Sequence, residues 1–229
     1  MRNQQTRNNI MLWTALALAV LLIAMESSAI LASSAPKAIY SGKSGVALMF
    51  NVYQNTENVE EIKDILGQYG VSASFFIGGI WAEKNRELIF DLYLEGHDIG
   101  NHGFKHKLPT KAGPAVTREE IQRTDIVIRS ITGEKPLLYA PPSGDHDQRT
   151  VEIAQEEGYL TILWSADTID WRDQDAKLLL SRTQSKLSDG GFLLMHPTPA
   201  TVEALPQIIE WIFGQGYEIK PVSKIILGE

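Results

Sequence analysis

Short apolar runs alternate with amphipathic stretches along most of this 229-residue chain, and this alternation constrains the fold more than any other feature. Residues 45–50 read GVALMF, a nearly continuous apolar run that is typical of a strand buried on both faces. Residues 58–68 follow with apolar side chains at helical spacing. Strands that alternate with helices predict parallel βαβ units with right-handed crossovers. The sequence therefore predicts an α/β fold.

The same pattern continues to the end of the chain without a linker or an internal repeat after residue 45, which predicts one domain. The TREE sequence predicts a capping box, with Thr117 as the cap and Glu120 at the third helical position. The other predicted strands cover residues 72–77, 97–100, 137–139, 159–164 and 191–196, with a last strand and a short turn within 217–227. The other predicted helices cover residues 81–94, 117–133, 149–157, 176–187 and 202–213.

The first 35 residues have the composition of an export segment. Arg2 and Arg7 precede an uncharged run over residues 10–25, and Glu26 and a small-residue stretch follow. We predict that residues 1–35 are a signal peptide or a membrane anchor and that residues 36–229 are the folded domain. A cleaved signal implies secretion, an uncleaved one a domain held at the outer face of the membrane or in the cell wall. A buried core helix is the alternative for this segment.

Charge and cysteine content exclude some functions. The formal net charge is −7, and without residues 1–35 the chain keeps 19 basic and 27 acidic residues, a net charge of −8. This argues against a nucleic-acid partner, since nonspecific binding needs a basic face. The chain has no cysteine, which excludes disulfides, thiol catalysis and thiolate metal sites.

Polar side chains follow several of the predicted strands, where the active groups of parallel α/β folds lie. His102 and His106 are four residues apart, a spacing that places both imidazoles on one face of a helical turn. Two histidines, a carboxylate and a water form a common catalytic zinc site. The end of the first strand is where the carboxylate is expected, but residues 49–53 read MFNVY and contain no acid.

Residues 44–227 resemble the NodB-homology polysaccharide deacetylases, carbohydrate esterase family four, and most of all its sporulation-associated members. The resemblance implies an irregular, incomplete (β/α) barrel. Its five motifs occur in the family's order: MFNVY at 49–53, HGFKH at 102–106, APPS at 140–143, DTIDW at 167–171 and LMH at 194–196.

The resemblance also implies roles for individual residues. His102 and His106 are metal ligands, for zinc or a similar divalent ion that activates water. His196 is the catalytic acid, tuned by Asp170. The implied partner is an N-acetylglucosamine-containing glycan of the cell wall or spore cortex, whose acetamide is hydrolysed to a free amine and acetate. Contacts with this substrate are expected from Trp171, Pro141, Pro142 and Leu194.

The departures from the family pattern that bear on catalysis are concentrated on one side of the implied site. Asn51 stands where the family has its base, and Val52 where it has the carboxylate that binds the metal. Ala140 replaces an arginine that orients the base, and Tyr53 replaces a glycine. The loop of Asp145, His146 and Asp147 offers a replacement ligand or base, although a solvated turn that caps the next helix is the favoured interpretation.

Two functions are consistent with this pattern. The first is a metal-dependent glycan N-deacetylase with impaired catalysis. The second is a non-catalytic glycan-binding or structural pseudoenzyme at the cell surface. For the histidines, a structural role is the alternative at His102, His106 and His196, and it is the favoured one at His97. An unrelated α/β protein with accidental motif matches is a third reading.

Overall fold

The computed structural model describes residues 35–228, and the chain from Lys37 onward forms one compact unit. Its strands are Ala47–Val52 (β1), Ser74–Ile77 (β2), Asp98–Asn101 (β3), Leu138–Tyr139 (β4), Leu160–Thr161 (β5), Ala166–Asp167 (β6) and Phe192–Met195 (β7). Its helices are Thr56–Tyr69 (α1), Gly79–Lys84 (α2), Arg86–Leu94 (α3), Pro109–Ala112 (α4), Pro114–Thr132 (α5), Gln148–Glu156 (α6), Ala176–Lys186 (α7), Pro199–Gly214 (α8) and Val222–Leu227 (α9).

The seven strands form one parallel sheet in the order β5-β4-β3-β2-β1-β7-β6. The two edge strands, β5 and β6, are consecutive in the chain and are joined by residues 162–165 alone. A link this short spans at most about 18 Å, so the sheet must curl until its edges approach each other. The result is an incomplete (β/α) barrel, which confirms the predicted fold class.

Residues 39–41 connect the end of edge strand β5 to the start of β7, which lies beside the other edge strand. Ile39 pairs with Ile162 beyond β5, and Ser41 pairs with Gly191 at the start of β7. The backbone N–H of Ile39 donates to the carbonyl of Thr161 at 2.9 Å. The segment that precedes the first strand therefore belongs to the wall of the barrel.

Alternate residues of the central strand β1 face two different parts of the core. Leu48, Phe50 and Val52 pack among the apolar residues of the surrounding helices. Ala47 and Met49 pack in a second cluster with Phe76, Phe192 and Leu194 from the neighbouring strands. Because side chains alternate along a strand, Asn51 shares the face of Ala47 and Met49 and reaches the carboxyl end of the barrel interior.

Several predicted elements have different bounds in the structure. The predicted helix 81–94 is two helices, α2 and α3, that meet at Asn85, whose side-chain amide donates to the carbonyl of Trp81. The predicted capping box at Thr117 is wrong, because α5 begins at Pro114, a residue suited to the first helical position. The hydroxyl of Thr117 instead donates to the carbonyl of Gly113 at 3.0 Å.

The two ends of the sheet are shorter than predicted. Of the predicted strand 159–164, Leu160 and Thr161 alone join the ladder. The predicted strand in 217–227 is reduced to a single bridge between Ile219 and Val46, and α9 occupies most of that segment.

The predicted signal peptide or membrane anchor, residues 1–35, lies outside the described residues except for Ala35. Within residues 35–228, no helix has the length and apolar character needed to cross a membrane.

Candidate functional site

A cavity of about 730 Å³ opens at the carboxyl ends of the central strands. It is the place where the sequence predicted the active groups, and residues from all five motifs line it. The lining residues are Asn51, Tyr53, Gln54, Asn55, His102, His106, Ser143, Trp164, Asp167, Trp171, Gln174, Leu194, His196, Pro197, Thr198 and Pro199.

Asp170 and His196 form a tightly bonded pair on one side of this cavity. The Nδ1 atom of His196 lies 2.7 Å from Oδ1 of Asp170, so this nitrogen carries the proton and donates. The other carboxylate oxygen accepts from the backbone N–H of His196 and from the hydroxyl of Thr201, both at 2.6 Å. Asp170 is fully buried. The structure thus brings together the two residues predicted to supply the catalytic acid, with the imidazole held in one tautomer.

The turn before Asp170 places a second carboxylate at the cavity. Ile169 has φ 56°, a left-handed conformation that is rare for a β-branched residue. Its backbone N–H donates to Oδ1 of Asp167 at 2.7 Å, and Asp167 lines the cavity. Burial raises the pKa of Asp167 above its usual range. The sequence placed this residue at a strand end without assigning it a role.

His102 and His106 meet at the opposite side, although not in the way expected. Residues 102–106 form a loop instead of a helical turn, with left-handed φ angles at Gly103 (75°) and His106 (56°). The two rings are still close, with centroids 5.0 Å apart. Nδ1 of His102 donates to the carbonyl of Ala140 at 2.8 Å. Burial, together with the nearby His106, lowers the pKa of His102 to about 3, and burial also lowers the pKa of His106.

The described residues do not complete a metal site of the implied kind. Val52 is fully buried in the helix-side core and has no polar side-chain atom to offer. Within residues 35–228 there is no group of three or more histidine or acidic side chains arranged to hold a metal ion. Two neutral imidazoles are thus present without the third protein ligand that catalytic zinc sites have.

Asn51 lies at the cavity wall with an unsatisfied polar atom. The side chain is 4% exposed, and its Oδ1 atom has no hydrogen-bond partner among the described residues. A buried amide without partners is costly, so most such groups in folded proteins are paired. Asn51 therefore occupies the position of the lost base with free hydrogen-bonding capacity.

Tyr53 fills space beside the two histidines. Its ring centroid lies 5.0 Å from that of His106. A Cβ atom on Gly78 would come within 2.4 Å of Cδ2 of Tyr53, so the ring needs a glycine beneath it. The substitution of the family's glycine by Tyr53 thus changes the shape of the cavity as well as its composition.

The loop of Asp145, His146 and Asp147 supplies no replacement group to the cavity. Asp145 accepts from the backbone N–H and the hydroxyl of Thr110. Asp147 caps α6 by accepting from the backbone N–H of Thr150 at 2.8 Å. His146 contacts the carbonyl of Gly144 and the hydroxyl of Tyr40. These contacts favour the interpretation of a turn that caps the following helix.

Two of the predicted substrate contacts do not line the cavity. Pro141 and Pro142 are buried and do not line the cavity, whereas the neighbouring Ser143 does, with φ 57°. Trp171 lines the cavity and is 61% exposed, and Leu194 forms part of its wall.

Two residues outside the cavity have structural contacts. Glu120, a buried carboxylate, accepts from the backbone N–H of Lys105 at 2.5 Å and so fixes the histidine loop, a role hidden by the incorrect capping box. His97 accepts from the backbone N–H of Ala73 at 3.0 Å, and burial lowers its pKa. This contact agrees with the structural role favoured for His97.

The fold and this cavity define a NodB-type glycan deacetylase scaffold with an altered site. The family model for polysaccharide deacetylases matches residues 39–162. The chain belongs to the polysaccharide deacetylase family.

Two curated relatives share most of the chain. The uncharacterized protein YlxY of Bacillus subtilis (strain 168) is 35% identical over 205 residues, which are 88% of this chain and 64% of YlxY. A peptidoglycan-N-acetylglucosamine deacetylase of Bacillus cereus is 31% identical over 179 residues, which are 76% of this chain and 65% of the enzyme. The chain thus spans less than two thirds of the length of either relative.

A solved structure of similar fold is that of BA3943 from Bacillus anthracis, described as a CE4 family pseudoenzyme. The wild-type protein matches with a TM-score of 0.81 and 33% identity, over 84% of this chain and 69% of that one. A mutant of BA3943, described as having restored enzymatic activity, matches with the same TM-score and 31% identity, over 84% of this chain and 72% of that one.

Proposed function

We propose that this chain binds an N-acetylglucosamine-containing cell-wall glycan in the cavity and has little or no deacetylase activity. The observation that carries the proposal is a contrast between two sides of the site. Asp170 and His196 are intact, whereas Asn51 and Val52 stand at the family's two aspartate positions. A side-chain amide does not accept a proton at neutral pH, so the cavity has no general base at the family's position. Trp171, exposed at the cavity, offers an aromatic face for a sugar ring.

Similar proteins support both parts of this proposal. The Bacillus cereus relative is a peptidoglycan-N-acetylglucosamine deacetylase, which favours a cell-wall glycan as the ligand. BA3943 is described as a pseudoenzyme, which favours the loss of catalysis. We further propose export through residues 1–35, to the outer face of the membrane or the cell wall, and a role in sporulation.

A metal-dependent but impaired deacetylase is the second candidate. It is favoured by one observation, the approach of the His102 and His106 rings to 5.0 Å with both pKa values lowered by burial. Neutral imidazoles are the form that binds zinc. Such a protein would need the remaining ligands from water or from substrate.

Metal content and glycan binding, measured on the same full-length protein, separate these functions. We would titrate zinc, and N-acetylglucosamine tetramers, into the wild type and into the His102→Ala/His106→Ala variant, and follow acetate release. His146→Ala is the matched control, because His146 lies on the surface loop outside the cavity. We expect glycan binding without acetate release and less than one zinc per chain.

Other results would decide differently. One zinc per chain that is lost in the double variant but not in His146→Ala, together with acetate release, would establish the second candidate. Absence of glycan binding by the folded wild type would overturn the proposed function.

A further inference from the structure

Two residues that line the cavity have hydrogen-bond acceptors, and one of these acceptors is buried without a partner. Oδ1 of Asn51 is buried at the wall and has no partner among the described residues. His102 uses Nδ1 to donate to the carbonyl of Ala140, so Nε2 is the acceptor of its neutral ring. Buried acceptors of this kind are stabilised by a ligand that brings N–H or O–H donors.

Asp167 adds a negative charge to the same cavity. It is half-buried, and one of its oxygens accepts from the backbone N–H of Ile169. Within residues 35–228 it forms no direct ion pair with a lysine or arginine; Arg182 pairs with Asp173, and Lys186 acts on Asp167 only through the longer-range attraction of its charge. No lysine or arginine lines the described cavity, and Asp167 is its one carboxylate. A partly desolvated carboxylate without a cationic partner gains most from a ligand that carries a positive charge.

We propose that this cavity binds a glucosamine unit of the glycan, through its protonated amine, in preference to an N-acetylglucosamine unit. The inference rests on the proposed function, since it concerns which sugar of the glycan occupies that site. An ammonium group has three N–H donors and a positive charge, which match the amide oxygen of Asn51 and the carboxylate of Asp167. An acetamide brings one N–H donor and no charge, and its carbonyl adds an acceptor to a cavity that already has an unpaired one.

The aromatic side chains of the cavity agree with this preference. Tyr53, Trp164 and Trp171 all line it. Aromatic faces attract organic cations as well as the apolar faces of sugar rings. The ring of Tyr53 also takes space beside His106, and a sugar without its acetyl group needs less space there.

The test compares two ligands that differ by one acetyl group. Fully acetylated N-acetylglucosamine tetramers and tetramers with a single free amine are titrated into the full-length protein by calorimetry, with EDTA and 150 mM salt present. We expect the amine to bind about tenfold more tightly, a difference of about 1.4 kcal/mol. In Asp167→Asn the preference should fall to less than about twofold.

Two features of the variants make the result specific to the charge of Asp167. The asparagine in Asp167→Asn can still accept from the N–H of Ile169, so the turn is kept while the charge is removed. Asp64→Asn removes one charge from an exposed residue of α1 and should leave the preference unchanged. Thermal unfolding confirms that both variants are folded.

The outcomes distinguish this inference from the proposed function. If the acetylated tetramer binds as tightly as the amine, or if Asp64→Asn weakens the preference as much as Asp167→Asn does, the inference is overturned and glycan binding stands. If neither tetramer binds the folded wild type, the proposed function itself is overturned.

Discussion

The two sides of the cavity differ in how firmly the fold holds their polar side chains. On the acid side, Asp170 accepts three hydrogen bonds from His196 and Thr201 while fully buried. On the base side, Asn51 is nearly as buried, and its Oδ1 has no partner among the described residues. Asp170 therefore contributes to the stability of the fold, because its removal would leave three buried donors without an acceptor. The base side tolerates replacement, because little in the fold depends on it.

Restoring the base side is the test with the largest expected effect. Asn51→Asp combined with Val52→Asp restores the two aspartates of the family pattern, the base and the carboxylate that binds the metal. We expect zinc-dependent acetate release from N-acetylglucosamine tetramers at least about 10²-fold above that of the wild type, since a general base contributes about 10² to 10⁴. The measurement is acetate release with zinc and with EDTA.

The single variants sharpen this test. Val52 lies in the apolar helix-side core, so Val52→Asp alone should destabilise the metal-free protein, and added zinc should raise its Tm. Asn51→Asp alone should remain inactive. A folded double variant that binds zinc but releases no acetate would show that Ala140 and Tyr53 also block the reaction.

Removing one polar side chain from each side tests the comparison by stability. Asp170→Ala should lower the free energy of unfolding by about 3–5 kcal/mol, because three buried donors lose their acceptor. Asn51→Leu should change it by less than about 1 kcal/mol, because it removes an amide whose oxygen has no partner. Urea unfolding measures both. Equal losses for the two variants would contradict the proposed asymmetry.

A mutant cycle tests whether Tyr53 shapes the base side. Gly78→Ala should cost about 2 kcal/mol in the wild type, since the new methyl group meets the Tyr53 ring at 2.4 Å. With Tyr53→Gly as the background, the same change should cost clearly less, since the nearest remaining contact is the backbone carbonyl oxygen of Val52 at 3.3 Å. Urea unfolding of the four proteins gives the coupling energy. Additive effects would mean that the ring is free to move away.

The last test concerns the pH dependence of stability through His102. Its pKa is about 3 in the folded protein and about 6.5 when unfolded, so the unfolded chain binds the proton more readily. Its contribution is complete above about pH 6.5 and declines as the pH falls, by at most about 1.4 kcal/mol per pH unit. His102→Gln should therefore show a shallower loss between pH 6 and pH 4. Identical slopes by urea unfolding would contradict this.

The fold class was predictable because alternating strands and helices leave a periodic signal. The short elements were not predictable from the sequence. Pro109–Ala112 is a single helical turn without a period to detect. Thr117 followed three residues later by Glu120 has the pattern of a cap, but Pro114 starts the helix earlier and Glu120 bonds to the histidine loop. Residues 217–227 read as a strand because apolar side chains alone do not distinguish a ladder from one bridge and a helix.

The sequence predicted which strand ends form the candidate site. It predicted less well which side chains line the cavity and which of their polar atoms are paired. Asp170 and His196 are paired as the motifs predict. The sequence does not show that Ser143 replaces Pro141 and Pro142 at the surface, because this depends on one left-handed residue. It also does not show that the amide oxygen of Asn51 is unpartnered, since that depends on every neighbour in three dimensions.

The left-handed residues surround this cavity. Within residues 35–228, the non-glycine residues with positive φ are Asn55, His106, Ser143 and Ile169. Three of them line the cavity, and the fourth lies between Asp167 and Asp170. Such a conformation costs about 1–2 kcal/mol for an ordinary residue, and a folded domain has a net stability of about 5–15 kcal/mol. The backbone at these four residues is therefore strained, and the rest of the fold holds it in a conformation that the residues themselves disfavour.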